Sequence, residues 1–377
     1  MRVLFWSETF WPRVGGVENL AARLLPALRA RGHEFMVVTW EHTEYPDKIH
    51  YKEIPVYRFP FFSRGPQGGA DRIVEHIRQM VRLKQSFAPD LIHVNSYGRS
   101  ILFHLMTANA HSTPVLVTLH QALPNEPVER DTVLGKVLAT ADWVTAVSAA
   151  VLAHAIQLAP RIGPRSSVIH NALEIPAGDP PPASFARPRL LCLGRLVVEK
   201  GFDVALSAFT TVLERFPDAR LVIVGEGPER KNLATRAAEL RLGNTVEFVG
   251  AVPVEEVPHW ISEAAVVLIP SRLEGFGLVA LEAALLGRPV VATRVGGILE
   301  VVSHEQTGLL VEKDDSNGIA NAVRSLLEDP PTAYEMGRNA QTRARELFSW
   351  DAHVNSYDEL YRRLTNKRAA TVSRQIG

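Results

Sequence analysis

The sequence predicts an α/β fold of two domains. At 377 residues the chain is long for a single hydrophobic core. Short apolar runs rich in β-branched residues alternate with helical patterns from end to end, the arrangement of βαβ units and parallel sheets. Between the halves, Glu174 to Pro188 (EIPAGDPPPASFARP) carries five prolines and no apolar period, as a linker does. Two Rossmann-like domains, residues 1–178 and 179–350, are therefore expected to face each other across a hinge and an interdomain cleft.

In the first half, strands are expected near Val3 to Trp6, Glu34 to Thr39, Leu91 to Asn95, Val115 to His120, Trp143 to Val147 and Ser167 to Ile169. A helix over Val17 to Arg31 follows from Leu20, Leu24 and Leu28 at four-residue spacing, with Gly32 to end it. A second, Asp71 to Phe87, has an apolar face of Ile73, Ile77, Met80 and Val81. Arg72, Arg78, Arg82 and Lys84 lie on its other side and read as a solvated face. In the second half, strands are expected at Leu190 to Leu193, Arg220 to Val224, Thr245 to Val249, Val266 to Ile269 and Pro289 to Ala292.

Composition narrows the function classes. Apolar residues make up 46% and charged residues 22%, as in an ordinary folded domain, and 41 basic side chains balance 41 acidic ones. That balance gives no bulk electrostatic case for nucleic acid. The single cysteine, Cys192, excludes a disulfide framework or a cysteine metal site. The N-terminus has no signal-peptide core and no stretch nears the roughly 20 apolar residues of a membrane span, so a cytoplasmic protein is expected. The basic tail 362–374 (RRLTNKRAATVSR) reads first as a solvated terminus and second as a peripheral contact with an anionic membrane face.

The most informative segment is Val266 to Glu300. An apolar strand runs through Pro270-Ser271 into a turn of little bulk, Glu274, Gly275, Phe276 and Gly277, and then into a helix that carries Glu282. The first N–H groups of such a helix have no intrahelical partner, and its aligned dipoles favour an anion, so a phosphate-bearing ligand fits there. Glu274 and Glu282, on either side, suit sugar or ribose hydroxyls. Gly194-Arg195 closes the first strand of the second half, and Glu199-Lys200-Gly201 follows. Two cations on one loop at a strand's carboxyl end can neutralise a diphosphate, Arg195 gripping two oxygens and Lys200 acting as a compact charge, with two ordinary surface basics as the bland alternative. Gly225-Glu226-Gly227-Pro228 is equally a structural turn or a ligand contact. The backbone of Gly250 to Pro253, with Val252, is placed to read a nucleotide base, although chain reversal alone explains it.

In the first half, Pro12 to Glu18 (PRVGGVE) joins strand to helix through adjacent glycines that permit close approach of a ligand. It is not the dinucleotide fingerprint, so a nicotinamide cofactor is not expected. His120 ends a strand where the cleft should open, and a satisfied structural histidine is its bland alternative. His93 and Asn95 end another strand in the same way. Asn171 is placed to cap a turn or to reach the cleft, and turn chemistry is the expected role. No aspartate or histidine cluster has metal-ligand spacing, and the two cations offer a replacement for a metal.

Together these motifs resemble glycosyltransferase family 4, the retaining sugar transferases of GT-B architecture, over nearly the whole chain. The resemblance rests on Gly15-Gly16, Gly32-His33-Glu34, Thr118-Leu119-His120, Ala146-Val147-Ser148, Gly194-Arg195-Leu196, Glu199-Lys200-Gly201, Pro270-Ser271, Glu274-Gly275-Phe276-Gly277, Glu282 and Gly296-Gly297. Phe348-Ser349-Trp350 resembles the start of the family's last helix, which implies that 351–377 returns to the first domain. The resemblance implies that Arg195 and Lys200 hold the donor diphosphate and that amides of Gly275, Phe276, Gly277 and Leu278 face the sugar and phosphate. It implies that Glu274 binds sugar hydroxyls, Glu282 the ribose and Gly16 the leaving phosphate, while His120 contacts the sugar and stabilises charge at the reacting carbon. Three positions depart from the family pattern: Asn171-Ala172-Leu173 for Asn-Gly-Val, Gln121 for aspartate and Asn95 for a second histidine.

The implied activity is metal-independent, retaining transfer of a hexose from a nucleoside diphosphate sugar to a hydroxyl acceptor, which is a glycan, lipid carrier or small metabolite. No cofactor is expected beyond the nucleotide sugar as co-substrate. A nucleotide-sugar epimerase on the same plan and a non-catalytic sugar-nucleotide-binding subunit stay open as alternatives.

Overall fold

A computed structural model describes residues 1–13, 15–40, 46–60, 70–96, 98, 100–123, 128–129, 131–175, 178 and 184–376, with the side chains of 70–72 and 367–376 outside that description. The chain divides into two compact units, Met1–Ile169 with Asp351–Gly377, and His170–Trp350. Parts of the expected linker, 176–177 and 179–183, lie outside the described residues, and with them the expected boundary after 178. The side chains of the far half of the basic tail lie outside the description as well.

The first unit runs β1 (Arg2–Trp6), α1 (Gly16–Arg29), β2 (Glu34–Trp40), β3 (Lys48–Tyr51), β4 (Ile54–Phe59), α2 (Ala70–Phe87), β5 (Leu91–Val94), α3 (Ile101–Met106), β6 (Val115–Leu119), α4 (Val133–Thr140), β7 (Trp143–Ala146), α5 (Ala149–Leu158) and β8 (Ser166–Val168). Its sheet is ordered β3-β4-β2-β1-β5-β6-β7-β8, parallel except for the antiparallel edge pair β3–β4. Every residue of β5 and β6 is buried, as expected of parallel strands covered on both faces. The β3–β4 hairpin was not expected from the sequence. Pro55, which has no N–H to give a ladder, disguises β4, and β3 is short and half-exposed.

Helix α1 buries Leu20, Leu24 and Leu28, and Gly32 (φ 87°) stands just beyond its end. On α2 the solvated-face reading holds for Arg78 and Arg82, which are exposed and reach Glu75. It fails for Lys84, only 1% exposed. Its ammonium donates to the carbonyls of His104 (3.4 Å) and Thr107 (3.2 Å) and stands 5.7 Å from the Trp6 ring centroid. Those acceptors belong to α3 and its end, a contact that the pattern of α2 alone does not reveal. Burial lowers the Lys84 pKa to about 7.

The C-terminal helix, α13 (Trp350–Ile376), is docked within this unit from Asp351 onward by polar contacts. Asp358 bonds His33 (2.7 Å) and Arg362 (2.8 Å). Tyr361 bonds Nδ1 of His93 at 2.6 Å, and the other nitrogen of His93 meets the Thr118 hydroxyl at 2.8 Å. His353, Tyr357 and Tyr361, spaced four apart, share one buried face of α13.

The second unit runs β9 (Arg189–Leu193), α6 (Phe202–Arg215), β10 (Arg220–Val224), α7 (Arg230–Glu239), β11 (Val246–Gly250), α8 (Val257–Ser262), β12 (Val266–Ile269), α9 (Leu278–Leu285), β13 (Val290–Thr293), α10 (Ile298–Val301), β14 (Leu309–Val311), α11 (Ser316–Glu328) and α12 (Pro330–Leu347). All neighbours are parallel, in the order β11-β10-β9-β12-β13-β14. Strand β14 was not expected. The strand order therefore reverses between β9 and β12, and in open parallel sheets ligands collect outside the carboxyl ends at that reversal. Cys192 sits on β9 with Ile223 of β10 and Leu268 of β12 as its register partners, fully buried, and burial raises its thiol pKa. Among the described residues no helix is long and apolar enough to cross a membrane.

Candidate active site

The loops that leave β9 and β12 are the two that carry Arg195, Lys200 and Glu274. After β9 the chain turns through Gly194 and Arg195 into a short 3-10 turn, Val198–Lys200, and enters α6 from Gly201 in the left-handed region (φ 65°). A side chain at Gly201 would put its Cβ 2.0 Å from the carbonyl oxygen of Pro270, so only glycine lets the two loops touch. The β12 loop is held from the other side. A Cβ on Gly296 (φ 49°), in the turn after β13, would lie 1.9 Å from the carbonyl oxygen of Glu274. Gly225 and Gly227, left open between ligand and structural roles, pack against the backbone of Gly194 and Leu196.

This packing brings Lys200 and Glu274 together across 74 residues of sequence, Nζ to Oε2 at 2.6 Å. Ser271 also donates to that carboxylate oxygen, at 3.3 Å, and is itself anchored where Thr293 donates to its carbonyl. Lys200 and Glu274 are 22% and 16% exposed, enough for a ligand to reach them. Arg195 is exposed and has no ion-pair partner among the described residues. The trio of Arg195, Lys200 and Glu274 thus carries one net positive charge, with an exposed cation on the same loop as the lysine that pairs the carboxylate.

Helix α9 starts at Leu278 from Gly277 (φ 96°), with no side-chain cap on its first turn. The ends of such a helix attract anions. Glu282 lies on α9, half-buried, one turn in from Leu278. Phe276 is 2% exposed and packs edge-on against Phe348 (5.3 Å) and beside His170 (6.0 Å). Its side chain therefore anchors the loop in the core, and its backbone is the part that a ligand could read. Val252 lies two residues beyond β11, half-buried, at the same strand-end edge.

In the first unit Gly16 is the first residue of α1, next to Gly15, whose Cα faces the folded-back carboxylate of Glu18. Thr9 donates to that carboxylate. His120 lies just past β6, with Nε2 3.1 Å from Asn95 Oδ1 and Nδ1 buried without a hydrogen-bond partner. Burial and then the neighbouring His353 lower its pKa to about 4, against the bond to Asn95, so the imidazole is neutral near pH 7. His93, bonded at both nitrogens and lowered to about 3 by burial, is a structural residue. Asn171 does not make the expected turn bond: it is buried and its Oδ1 has no partner.

Sequence reasoning passed over Ser271, Arg272, His353 and the carboxylate of Glu18. Ser271 and Arg272 lie inside the motif already singled out, so only their contacts were hidden. The neighbourhood of His120 and His353 has no local signal. Among the described residues no three His, Cys, Asp or Glu side chains gather as metal ligands would.

Two family models match the chain, Glycosyltransferase Family 4 over residues 14–175 and Glycosyl transferases group 1 over 183–343. A glycogen synthase of Mycobacterium tuberculosis is 29% identical over 396 residues, covering 96% of this chain and 94% of its own. A GDP-mannose-dependent phosphatidylinositol monomannoside mannosyltransferase of the same organism is 29% identical over 379 residues, 93% and 95% of the two chains. Among solved structures, sucrose-phosphate synthase of Thermosynechococcus elongatus superimposes with a TM-score of 0.81 at 25% identity, covering 97% of this chain and 99% of that one. HepE of Anabaena, in complex with UDP-glucose, gives 0.74 at 22% identity over 99% of both chains. The chain therefore belongs to the family 4 glycosyltransferases, with two parallel-sheet α/β domains of the GT-B type.

Proposed function

We propose that the protein transfers a hexose from a nucleoside diphosphate sugar to a hydroxyl acceptor, with retention of anomeric configuration and without a metal ion. The observation that carries this reading is the Lys200–Glu274 pair at the strand-order reversal, beside the uncapped start of α9 and the exposed Arg195. The GDP-mannose dependence named for the mycobacterial mannosyltransferase and the UDP-glucose held by HepE support the same class of donor.

In this reading Arg195 and Lys200 take the diphosphate, Lys200 exchanging part of its contact with Glu274 for phosphate oxygens. Glu274, held at one oxygen, offers the other to sugar hydroxyls, and Glu282 takes the ribose. The amides of Gly275 to Leu278 face the transferred sugar and phosphate, Gly16 lies against the leaving phosphate and Val252 lies by the base. As the bond from the anomeric carbon to the diphosphate oxygen breaks, negative charge grows on that oxygen and the two cations stabilise it. The acceptor oxygen bonds the same carbon from the same face, and its proton passes to the departing phosphate. His120 contributes as a neutral imidazole, a hydrogen-bonding group that adds no charge to the sugar.

The test is incubation with labelled UDP-, GDP- and ADP-sugars and a panel of hydroxyl acceptors, following both nucleotide release and the labelled product. Lys200→Ala and Glu274→Ala should keep the fold and lose at least about a hundredfold in transfer, the scale of removing one preorganised charge contact. Wild-type rates in both folded variants would overturn the assignment. Label recovered as a different sugar still joined to nucleotide would favour epimerisation, and tight donor binding without turnover would favour a binding subunit.

A further inference from the structure

A half-exposed ionic cluster holds the charged loops together from a side that faces no candidate ligand group. Arg272 lies two residues before Glu274. Its Nη1 donates to the carbonyl of Val198 (2.8 Å) and to Asp203 Oδ1 (2.9 Å), its Nη2 to Asp203 Oδ2 (2.7 Å) and its Nε to Asp314 Oδ1 (2.6 Å). Its backbone N–H donates to the carbonyl of Glu199 at 2.7 Å, and that of Leu273 reaches the same oxygen at 3.4 Å. The targets bracket Lys200: Val198 and Glu199 precede it, and Asp203 stands in the first turn of α6 just after it. A cavity of about 600 Å³ opens on this side, lined by Val198, Asp203, Arg272 and Asp314 among others, and its lining includes none of Arg195, Lys200 and Glu274. Arg272 is therefore set apart from the groups assigned to the donor.

We infer that Arg272 is a positioning residue, a strut that fixes the Arg195–Lys200 loop against the Glu274 loop so that the two cations and the carboxylate hold one geometry. This rests on the transferase reading above. A planar guanidinium suits the task because it bonds a bidentate carboxylate, a second carboxylate and a carbonyl at the same time, which a lysine ammonium on a flexible stem does not. Two loops joined this way leave Lys200 little freedom along the chain, and a catalytic group displaced by about 1 Å loses up to roughly a hundredfold in rate.

The experiment measures kcat and the donor KM for wild type, Arg272→Met, Lys200→Met and the double variant, with whichever of UDP-glucose, GDP-mannose and ADP-glucose the wild type turns over. Arg272→Met should lower kcat by about tenfold or more. In the Lys200→Met background the same change should cost clearly less than in the wild type, because the strut then has only Arg195 and Glu274 left to position. A purely structural role would lower the melting temperature and leave kcat of the folded enzyme unchanged, which overturns the inference, as does full additivity of the two losses. Arg272→Lys keeps the charge and guards against misfolding of the methionine variant: it should still lose several-fold in kcat, and wild-type kcat there also overturns the inference. If Lys200→Met itself runs at the wild-type rate, the donor assignment fails. If only the Arg272 variants do, the strut alone fails.

Discussion

Replacing Gly296 by alanine puts a Cβ 1.9 Å from the carbonyl oxygen of Glu274, where ordinary contact begins near 3.4 Å. The turn after β13 and the Glu274 loop must then part by about 1.5 Å. If that falls on the Lys200–Glu274 contact, 2.6 Å becomes about 4 Å, beyond hydrogen-bond reach. A misplacement of this size costs roughly a hundredfold in kcat/KM. The left-handed backbone (φ 49°) adds about 1–2 kcal/mol of strain with any L side chain. Gly243→Ala separates the two effects, since Gly243 is also left-handed (φ 53°) but has nothing within 4 Å of its would-be Cβ. The assay is initial transfer rate against donor concentration, with thermal melts of both variants. Gly243→Ala should melt a few degrees lower at wild-type kcat/KM, and Gly296→Ala should melt lower still and lose the activity. A folded Gly296→Ala enzyme within twofold of wild type would refute the argument that this glycine sets the position of Glu274.

The Lys84 pKa of about 7 lies below its ordinary 10.5, so between those values the unfolded chain binds a proton that the folded one does not. Stability should rise from pH 7 to 10 by up to about 1.4 kcal/mol per unit from this group, and Lys84→Met should flatten that rise in urea titrations. The substitution itself should cost less than about 1.5 kcal/mol, because the His104 and Thr107 carbonyls also accept from the amides of Thr107 and Ala110. His93 and His120, lowered from 6.5 to about 3 and about 4, stay neutral while the unfolded chain takes up protons. Unfolding free energy should therefore fall as pH drops from 6.5 to 4, and a flat profile would contradict their burial. Transfer should persist in excess EDTA; activity lost and then restored by magnesium would refute a site run by cations of the chain.

How much the sequence disclosed follows from the range of the forces involved. Buried parallel strands read as unbroken apolar runs, so β1, β5, β6, β9, β10 and β12 were visible. Strand β4 was hidden by Pro55, and β3 by its half-exposed composition. The Glu274 loop announced itself because glycine-rich backbone between strand and helix is a local pattern. That it shares a ligand with Lys200 was implied by the family resemblance, and the 2.6 Å pair follows from glycines at 201 and 296 that let carbonyls approach. The partners of Arg272 and the neighbour of His120 could not be read, since Asp203, Asp314 and His353 are far away in sequence. Lys84 misled because helical periodicity says which side of α2 it lies on, and the contact that covers it comes from α3.

The chain's single cysteine, Cys192, lies in the middle of the second sheet with a strand on either side. An alkylating reagent can reach that sulfur only when the sheet itself opens, so the rate of modification is a clock for unfolding of the second unit, with no engineering of the protein. Any molecule that binds the folded unit slows the clock by one plus the ratio of its free concentration to its dissociation constant, about a hundredfold at a hundred times that constant. Timing thiol loss by mass spectrometry across a set of nucleotide sugars would thus rank donors before any acceptor is known.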